Sequence, residues 1–325
     1  MKKKIDPFDL NELKVQPPVP LAVAFSGGAD STALLLACIN QWPNLEGQAP
    51  RVRAIHIHHG LQAAADSFAE HCTRTCRALG VPLHIEHVQA KHLPGESPEE
   101  AARLARYKAF AGVVHGVWGA EINTVLLGQH ADDQAETLIL ALSRGAGLPG
   151  LASMAPQFER FGVNYYRPFL QISALQIREW LSTKDVPWIE DPTNQDTQYT
   201  RNKIRLQIMP ALSKAFPSFR ETFARSASHA AQAQSLLDEL AAEDLLITGN
   251  PPQIKTLQSL SPQRVTNVLR FWFKSLGTSA SSTQMNELLS QIKRCKTRGH
   301  QIELKLGRGF VVREGAHLSW SELLQ

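Results

Sequence analysis

Six residues, Ser26-Gly27-Gly28-Ala29-Asp30-Ser31, join a short apolar run, Leu21-Ala-Val-Ala-Phe25, to a helix-forming stretch. A loop between a strand and a helix gathers free backbone N–H groups and the positive helix end, so it suits an anion such as phosphate. Gly27 and Gly28 let the backbone bend and approach a ligand without a Cβ clash. The string is not a Walker A loop, since no Gly-Lys-Ser/Thr follows, and it lacks Gly-x-Gly-x-x-Gly spacing. Asp30 adds a condition, because a carboxylate beside phosphates repels them unless a divalent cation lies between. As a plain helix N-cap it would need no cation. Three more carboxylates, Asp132, Asp133 and Glu136, fall within one helical turn. They could hold Mg2+ with Asp30 or bind an incoming ammonium group. Decoration of the helix dipole is the simpler alternative.

The elements that must position these groups alternate along the first half. Strands are expected at 21–25, 51–57, 83–88 and 124–128. Helices are expected at 31–40, 63–79, 98–117 and 132–144, with Ser97 as an N-cap, Pro98 at the first helical position and Gly145 as a stop. Such alternation predicts an α/β doubly wound parallel sheet, with ligands at the carboxyl ends of its strands. Beyond Pro168 the pattern loosens into a helix at 173–184, a polar loop at 188–196 and a helical stretch over 210–246. A Pro/Gly-rich break at 249–252 precedes two helical segments and a hairpin over 301–313. The expected organisation is a catalytic domain over 1–213 and a helical, basic C-terminal domain over 214–325. The second part reads as a mostly helical linker and a small α/β or α+β domain.

With 325 residues, 43% apolar and 20% charged, the composition is that of a globular chain of about two domains. No apolar run approaches the roughly 20 residues that span a bilayer. The Met-Lys-Lys-Lys start lacks a signal-peptide core, so no membrane partner and a cytoplasmic location are expected. Charge is uneven: residues 1–200 hold 17 Lys+Arg against 21 Asp+Glu, and residues 201–325 hold 17 against 9. The basic second part suits a polyanion. Four cysteines in a chain this long are not a disulfide framework, and Cys72 and Cys76 lack zinc-site spacing. Alternation puts His56 and His58 on one strand face and His59 opposite, which argues against a metal cluster.

Ser-Gly-Gly-x-Asp-Ser after a first strand resembles the pyrophosphate (PP) loop of N-type ATP pyrophosphatases. That group activates a carbonyl oxygen by adenylation, releases pyrophosphate and lets a nucleophile displace AMP. Further strings narrow the resemblance: His56-Ile-His-His-Gly-Leu61, Glu99–Tyr107, His130-Ala-Asp-Asp-Gln-Ala-Glu-Thr137, Arg144-Gly-Ala-Gly147, Arg167-Pro-Phe-Leu170 and Trp188–Asp196 leading into Tyr199–Arg205. In this order they are similar to the tRNA(Ile)-lysidine synthetase family across about residues 20–210. The resemblance implies ATP and Mg2+ as cofactors and free L-lysine as co-substrate. It implies as partner an isoleucine tRNA with a CAU anticodon, whose wobble cytidine receives the lysine and changes the tRNA from methionine to isoleucine identity.

By the same analogy Ser26, Gly27, Gly28, Ala29, Asp30 and Ser31 bind ATP. Asp30 and one of Asp132 and Asp133, here Asp133, hold the metal, while Asp132 and Glu136 bind lysine. His130 could accept a proton from the attacking amine or steady the adenylate, and Arg106 and Arg144 could offset phosphate charge. Arg201, Asn202 and Arg205, with Lys203 among them, are expected to contact RNA, as are Lys293, Arg294, Lys296 and Arg298. Family members commonly carry two histidines before the Asp-Asp pair, whereas this chain has Gln129-His130. A tRNA thiolase of the same group would need paired sulfur-handling cysteines, and a non-catalytic RNA-binding module would show no pyrophosphate release. Oligomeric state is left open, a homodimer among the options.

Overall fold

The computed structural model describes Phe8, Leu10 and residues 17–58, 64–88, 98–119, 121–297, 299–307 and 309–322. His59, Ser97 and Arg298 therefore lie outside the described residues. The chain divides into two compact units, Met1–Ser228 and His229–Gln325.

In the first unit the expected alternation is realised as β1 (Leu21–Ala24), α1 (Ala29–Gln41), β2 (Val52–His58), α2 (Ala64–Ala78), β3 (Leu83–His87), α3 (Pro98–Gly112), β4 (Thr124–Leu126) and α4 (Ala131–Ser143). A four-residue turn of helix, α5 (Leu148–Leu151), precedes a hairpin of β5 (Gln157–Arg160) and β6 (Val163–Tyr166). The six strands form one sheet in the order β3-β2-β1-β4-β6-β5. All neighbours are parallel except β5, which closes the edge antiparallel to β6.

Both faces of the sheet are covered, and the central strand β1 is a continuous apolar run. Leu21 and Val23 of β1 pack with Leu34, Leu35, Cys72 and Ile177 on one side. Ala22 and Val125 pack with Tyr107, Phe110 and Tyr165 on the other. This alternation within one strand is the period-2 pattern that places helices on opposite faces.

Three short helices follow β6: α6 (Ala174–Leu181), α7 (Thr200–Lys203) and α8 (Met209–Ala215). The 30-residue α9 (Phe219–Thr248) comes next. The helix expected over 210–246 is thus broken. Pro217 has no N–H and disfavours helical backbone at Phe216, which takes φ −138° and ψ 81°. The helix expected over 98–117 also changes character, since Val113–Val117 is a π-helical turn.

The second unit carries α10 (Ile254–Leu257), α11 (Pro262–Ser275), α12 (Ser282–Arg294), β7 (Glu303–Leu306), β8 (Gly309–Glu314) and β9 (His317–Glu322). Its three strands form an antiparallel sheet in sequence order, one strand more than the expected hairpin. Trp272, Phe273, Leu288, Ile292, Val311 and Leu318 are the centre of its core. The arrangement is α+β. Among the described residues, no helix is long and apolar enough to cross a membrane.

Candidate active site

The phosphate loop leaves the carboxyl end of β1 and closes on itself through hydroxyl groups. Ser31 Oγ lies 3.0 Å from Ser26 Oγ, accepts from the Ser26 N–H at 3.2 Å and reaches Gly28 O at 3.1 Å. Thr32 Oγ1 donates to the same Gly28 carbonyl at 2.9 Å. These bonds hold the turn in place, while the first N–H groups of α1 have no acceptor within their own helix. Gly27 has φ +84°, and a Cβ there would fall 3.1 Å from both Cys72 Sγ and the His71 ring. Glycine is required there on both counts. The loop after α6 covers this turn, with the Ile189 N–H donating to Gly27 O at 2.9 Å.

Helix α4 starts beyond β4, the neighbour of β1, so its first turn faces the phosphate loop. Gly128 makes the close approach, since a Cβ there would stand 3.1 Å from the Asp30 backbone. His130 caps the helix: its N–H donates to Asp133 Oδ2 at 3.1 Å, and Asp133 N–H reaches His130 Nδ1 at 3.4 Å. Its other ring nitrogen, Nε2, stands 3.5 Å from both Asp30 Oδ2 and Asp133 Oδ2. Burial disfavours charge on this ring, but Asp133, Asp30 and Asp132 outweigh it and push the pKa up to about 9. A charged ring forfeits only the long 3.4 Å cap contact.

The three carboxylates have distinct surroundings. Asp132 Oδ1 accepts Arg220 Nε at 2.7 Å and Oδ2 accepts the Ala174 N–H at 2.8 Å. Burial opposes its ionisation, yet Arg220 and that N–H hold the carboxyl below its ordinary range. Glu136 is fully buried and forked by Arg205, Nε to Oε1 at 2.7 Å and Nη2 to Oε2 at 3.1 Å. Burial nevertheless pushes its carboxyl up. Asp133 is shared, with Oδ1 3.5 Å from Arg205 Nη2. Among the described residues, no three His, Cys, Asp or Glu converge as a complete metal cage. Asp30 and Asp133 both approach His130 Nε2, and two hard carboxylates there would suit Mg2+ bound together with phosphate oxygens.

Other expected site residues are distributed differently. Arg144 caps the far end of the 13-residue α4, about 20 Å from the carboxylate turn. Arg106 lies exposed on α3, next to the buried Tyr107. Asn202 is buried, and its amide donates to Thr193 O and Asp196 O at 2.8 Å each, which shapes the preceding loop. Arg205 is turned inward to Glu136, and Arg201 adds to the positive field there. Lys293, Arg294 and Lys296 are exposed at the end of α12 in the second unit. His56 and His58 are both buried, His58 paired with Asp66.

One participant, Arg220, carries no local sequence signal. Arg220 reaches Asp132 from the first turn of α9, 88 positions along the chain. Arg167 donates to Gln129 Oε1 at 2.8 Å and to Ala155 O at 2.6 Å, so the glutamine accepts a hydrogen bond next to His130. The four cysteines are free and buried. Burial pushes Cys72 and Cys76 up to about 12, which suits packing rather than sulfur transfer.

A family model of the PP-loop domain matches residues 4–212, and one of the TilS substrate binding domain matches residues 253–318. The chain is 54% identical over 306 residues to the tRNA(Ile)-lysidine synthase of Polaromonas naphthalenivorans (strain CJ2), covering 94% of this chain and 90% of that one. This chain belongs to the tRNA(Ile)-lysidine synthase family. The Burkholderia pseudomallei (strain K96243) tRNA(Ile)-lysidine synthase is 42% identical over 84% of this chain, which spans 56% of that longer relative. Among solved structures, the U34-tRNA thiolase NcsA from Methanococcus maripaludis aligns with a TM-score of 0.57 at 15% identity. It covers 69% of this chain and 76% of its own, and the likeness concerns the fold alone. Membership in the tRNA(Ile)-lysidine synthase family and the PP-loop domain imply that this chain uses ATP.

Proposed function

We propose that this chain ligates L-lysine to the wobble cytidine of a CAU-anticodon isoleucine tRNA, with ATP converted to AMP and pyrophosphate. The cytidine carbonyl oxygen attacks the α-phosphorus and pyrophosphate leaves. The lysine amine then attacks the activated carbon and AMP leaves. One observation carries the activation step: Asp30 of the phosphate loop and Asp133 of α4 meet at His130 Nε2, 3.5 Å from each. Lysine and the tRNA enter this reading through the names of the relatives.

Residue roles follow from what each group touches. The Ser26–Ser31 turn cradles the triphosphate, and Asp30 with Asp133 would hold Mg2+, which supplies charge neutralisation at the phosphates. His130, beside both carboxylates, lies next to the same phosphates and would steady the adenylate. Asp132 and Glu136 serve lysine with their arginines in place. Arg205 presents the reachable edge of the Glu136 pair and suits the lysine carboxylate. Arg201, Lys203 and the exposed Lys293, Arg294 and Lys296 serve the RNA, the first pair close to the reacting base and the others as a phosphate platform. Arg106 and Arg144 would act only on more distant phosphate charge. The reaction requires no membrane, and we place it in the cytoplasm.

The test is direct. Purified protein is incubated with ATP, Mg2+, labelled lysine and an isoleucine tRNA transcript carrying CAU. Label on that transcript, and none on the methionine tRNA, is the expected result. Pyrophosphate release only with a sulfur donor would replace this reading with a thiolase. Tight RNA binding without either product would leave a binding module.

A further inference from the structure

The segment that delivers both arginines to the carboxylates has an exposed aromatic and apolar surface. Tyr199 is 59% exposed and Phe216 64%. Leu206 and Ile208 lie exposed between them. Neither aromatic ring takes part in a hydrogen bond, ring contact or cation contact among the described residues. These two rings stand exposed in a fold that buries Phe25, Phe110, Phe169 and Phe219 almost completely.

Position and charge identify its class. Tyr199 caps α7, on the same loop that covers the phosphate turn through Ile189 and that Asn202 ties down through Thr193 and Asp196. Phe216 stands four residues before Arg220, so the two Cα atoms are within about 14 Å. Between 199 and 225 the chain carries six cations, Arg201, Lys203, Arg205, Lys214, Arg220 and Arg225, against one acid, Glu221. Arg205 and Arg220 are held by carboxylates, while Lys203, Lys214 and Arg225 are exposed. Aromatic rings interleaved with cations are the composition that binds unpaired bases, rings for stacking and cations for the backbone. A base that is to react in a recessed site must first leave its stack, and its neighbours then need a new one.

We propose that Tyr199 and Phe216 are stacking platforms for unpaired anticodon-loop bases at the rim of the active site. This rests on the proposed tRNA reading. It assigns to the catalytic unit a contact that reads base planes rather than phosphates.

The experiment uses the full chain and an RNA stem-loop with a CAU anticodon, with dissociation constants measured by fluorescence anisotropy over a series of salt concentrations. Tyr199→Ala and Phe216→Ala should each weaken binding by about 5- to 100-fold, the range lost when a stacking aromatic is removed. Their salt slope should match the wild type, because no phosphate contact is lost, whereas Lys203→Ala or Lys214→Ala should flatten it. Tyr199→Trp and Phe216→Trp should retain affinity, and thermal melting should stay unchanged in all four ring variants. Alanine variants that bind within twofold of wild type overturn the proposal, leaving the tRNA reading intact if the wild type still modifies the RNA. Ring variants that shift RNA-free protein from dimer to monomer in sedimentation also overturn it, since the rings would then face a second copy. A wild type that neither binds nor modifies the stem-loop removes both readings together.

Discussion

Among the described residues, two carboxylates are completely buried and each is forked by an arginine: Glu136 by Arg205 in the first unit, Asp244 by Arg264 in the second. The two arginines are even exposed to similar degrees, 39% and 42%. Their company differs. Arg205 also touches Asp133, which lies against His130 and, through it, Asp30 on the phosphate loop. Asp244 sits on α9 beside Thr248, whose hydroxyl bonds its backbone carbonyl, and among the described residues neither Asp244 nor Arg264 joins another ion pair. Burial and pairing are therefore common to a structural strut and to a reactive centre. What marks the centre is convergence: several charges of both signs held within reach of one another, next to a cradle for anions.

The widest separation should come from Asp30→Ala. Turnover is expected to fall by about three orders of magnitude, the scale of losing one preorganised charge-stabilising group, with thermal melting close to wild type. Pyrophosphate release with saturating tRNA measures it, and unchanged turnover would remove Asp30 from the metal site. Asp244→Ala should do the reverse. Losing the buried carboxylate that Arg264 forks is expected to lower the midpoint of urea unfolding, with turnover per folded molecule preserved. Selective loss of activity in a stable Asp244→Ala protein would end the distinction drawn above.

Glu136→Gln probes the intermediate case, a pair that is both strut and site. It should raise the KM for lysine by about 10- to 100-fold, the scale of one charge-assisted bond, while the KM for ATP stays near wild type. The smallest effect concerns the thiols behind the phosphate loop. Their pKa values are raised by burial to about 12, so thiolate forms only as the pH climbs toward that value. Iodoacetamide at pH 8 should leave Cys72 and Cys76 unlabelled in the folded protein, as read by mass spectrometry. Rapid labelling of either would reopen the case for sulfur chemistry.

Local pattern explains which parts of the molecule were legible in the sequence. The strand–loop–helix run from Leu21 through Gln41 and the carboxylate turn at α4 are contiguous, so residue type and period declare them. The β5–β6 hairpin is quieter, because Gln157–Arg160 is an edge strand with alternate residues exposed and a turn that places Phe161 at φ +52°. Strand β9 has its apolar pair, Leu318 and Trp320, two apart, which is too short a run to stand out from polar neighbours. Within the site, the identities of Asp132 and Glu136 were readable but their partners were not. Arg205 and Arg220 lie 69 and 88 positions away, and nothing near them in sequence names the carboxylate each will meet. Asn202 and Arg205, read as RNA contacts from composition, are in fact held by a loop and by Glu136. Composition reports charge and hydrogen-bonding capacity, and only the fold reports the direction of a side chain.

Arg205 sits on a π-helical turn, Ile204–Ile208, between α7 and α8. Such a turn widens the backbone ladder from i+4 to i+5 and so accommodates an extra residue. Deleting one residue there would close the turn to an ordinary α-helix and re-aim the residues within it, Arg205 included, by about 100°, the angle per residue of an α-helix. Indels and substitutions should therefore have opposite fates in this stretch. In a deep library of variants, single-residue insertions and deletions between 203 and 208 should be purged as strongly as changes at Asp30, whereas exposed Gln207 accepts replacement. The exposed loop at 45–49 should tolerate both kinds of change, so reading frame-preserving length variants would map this turn without any assay of the chemistry.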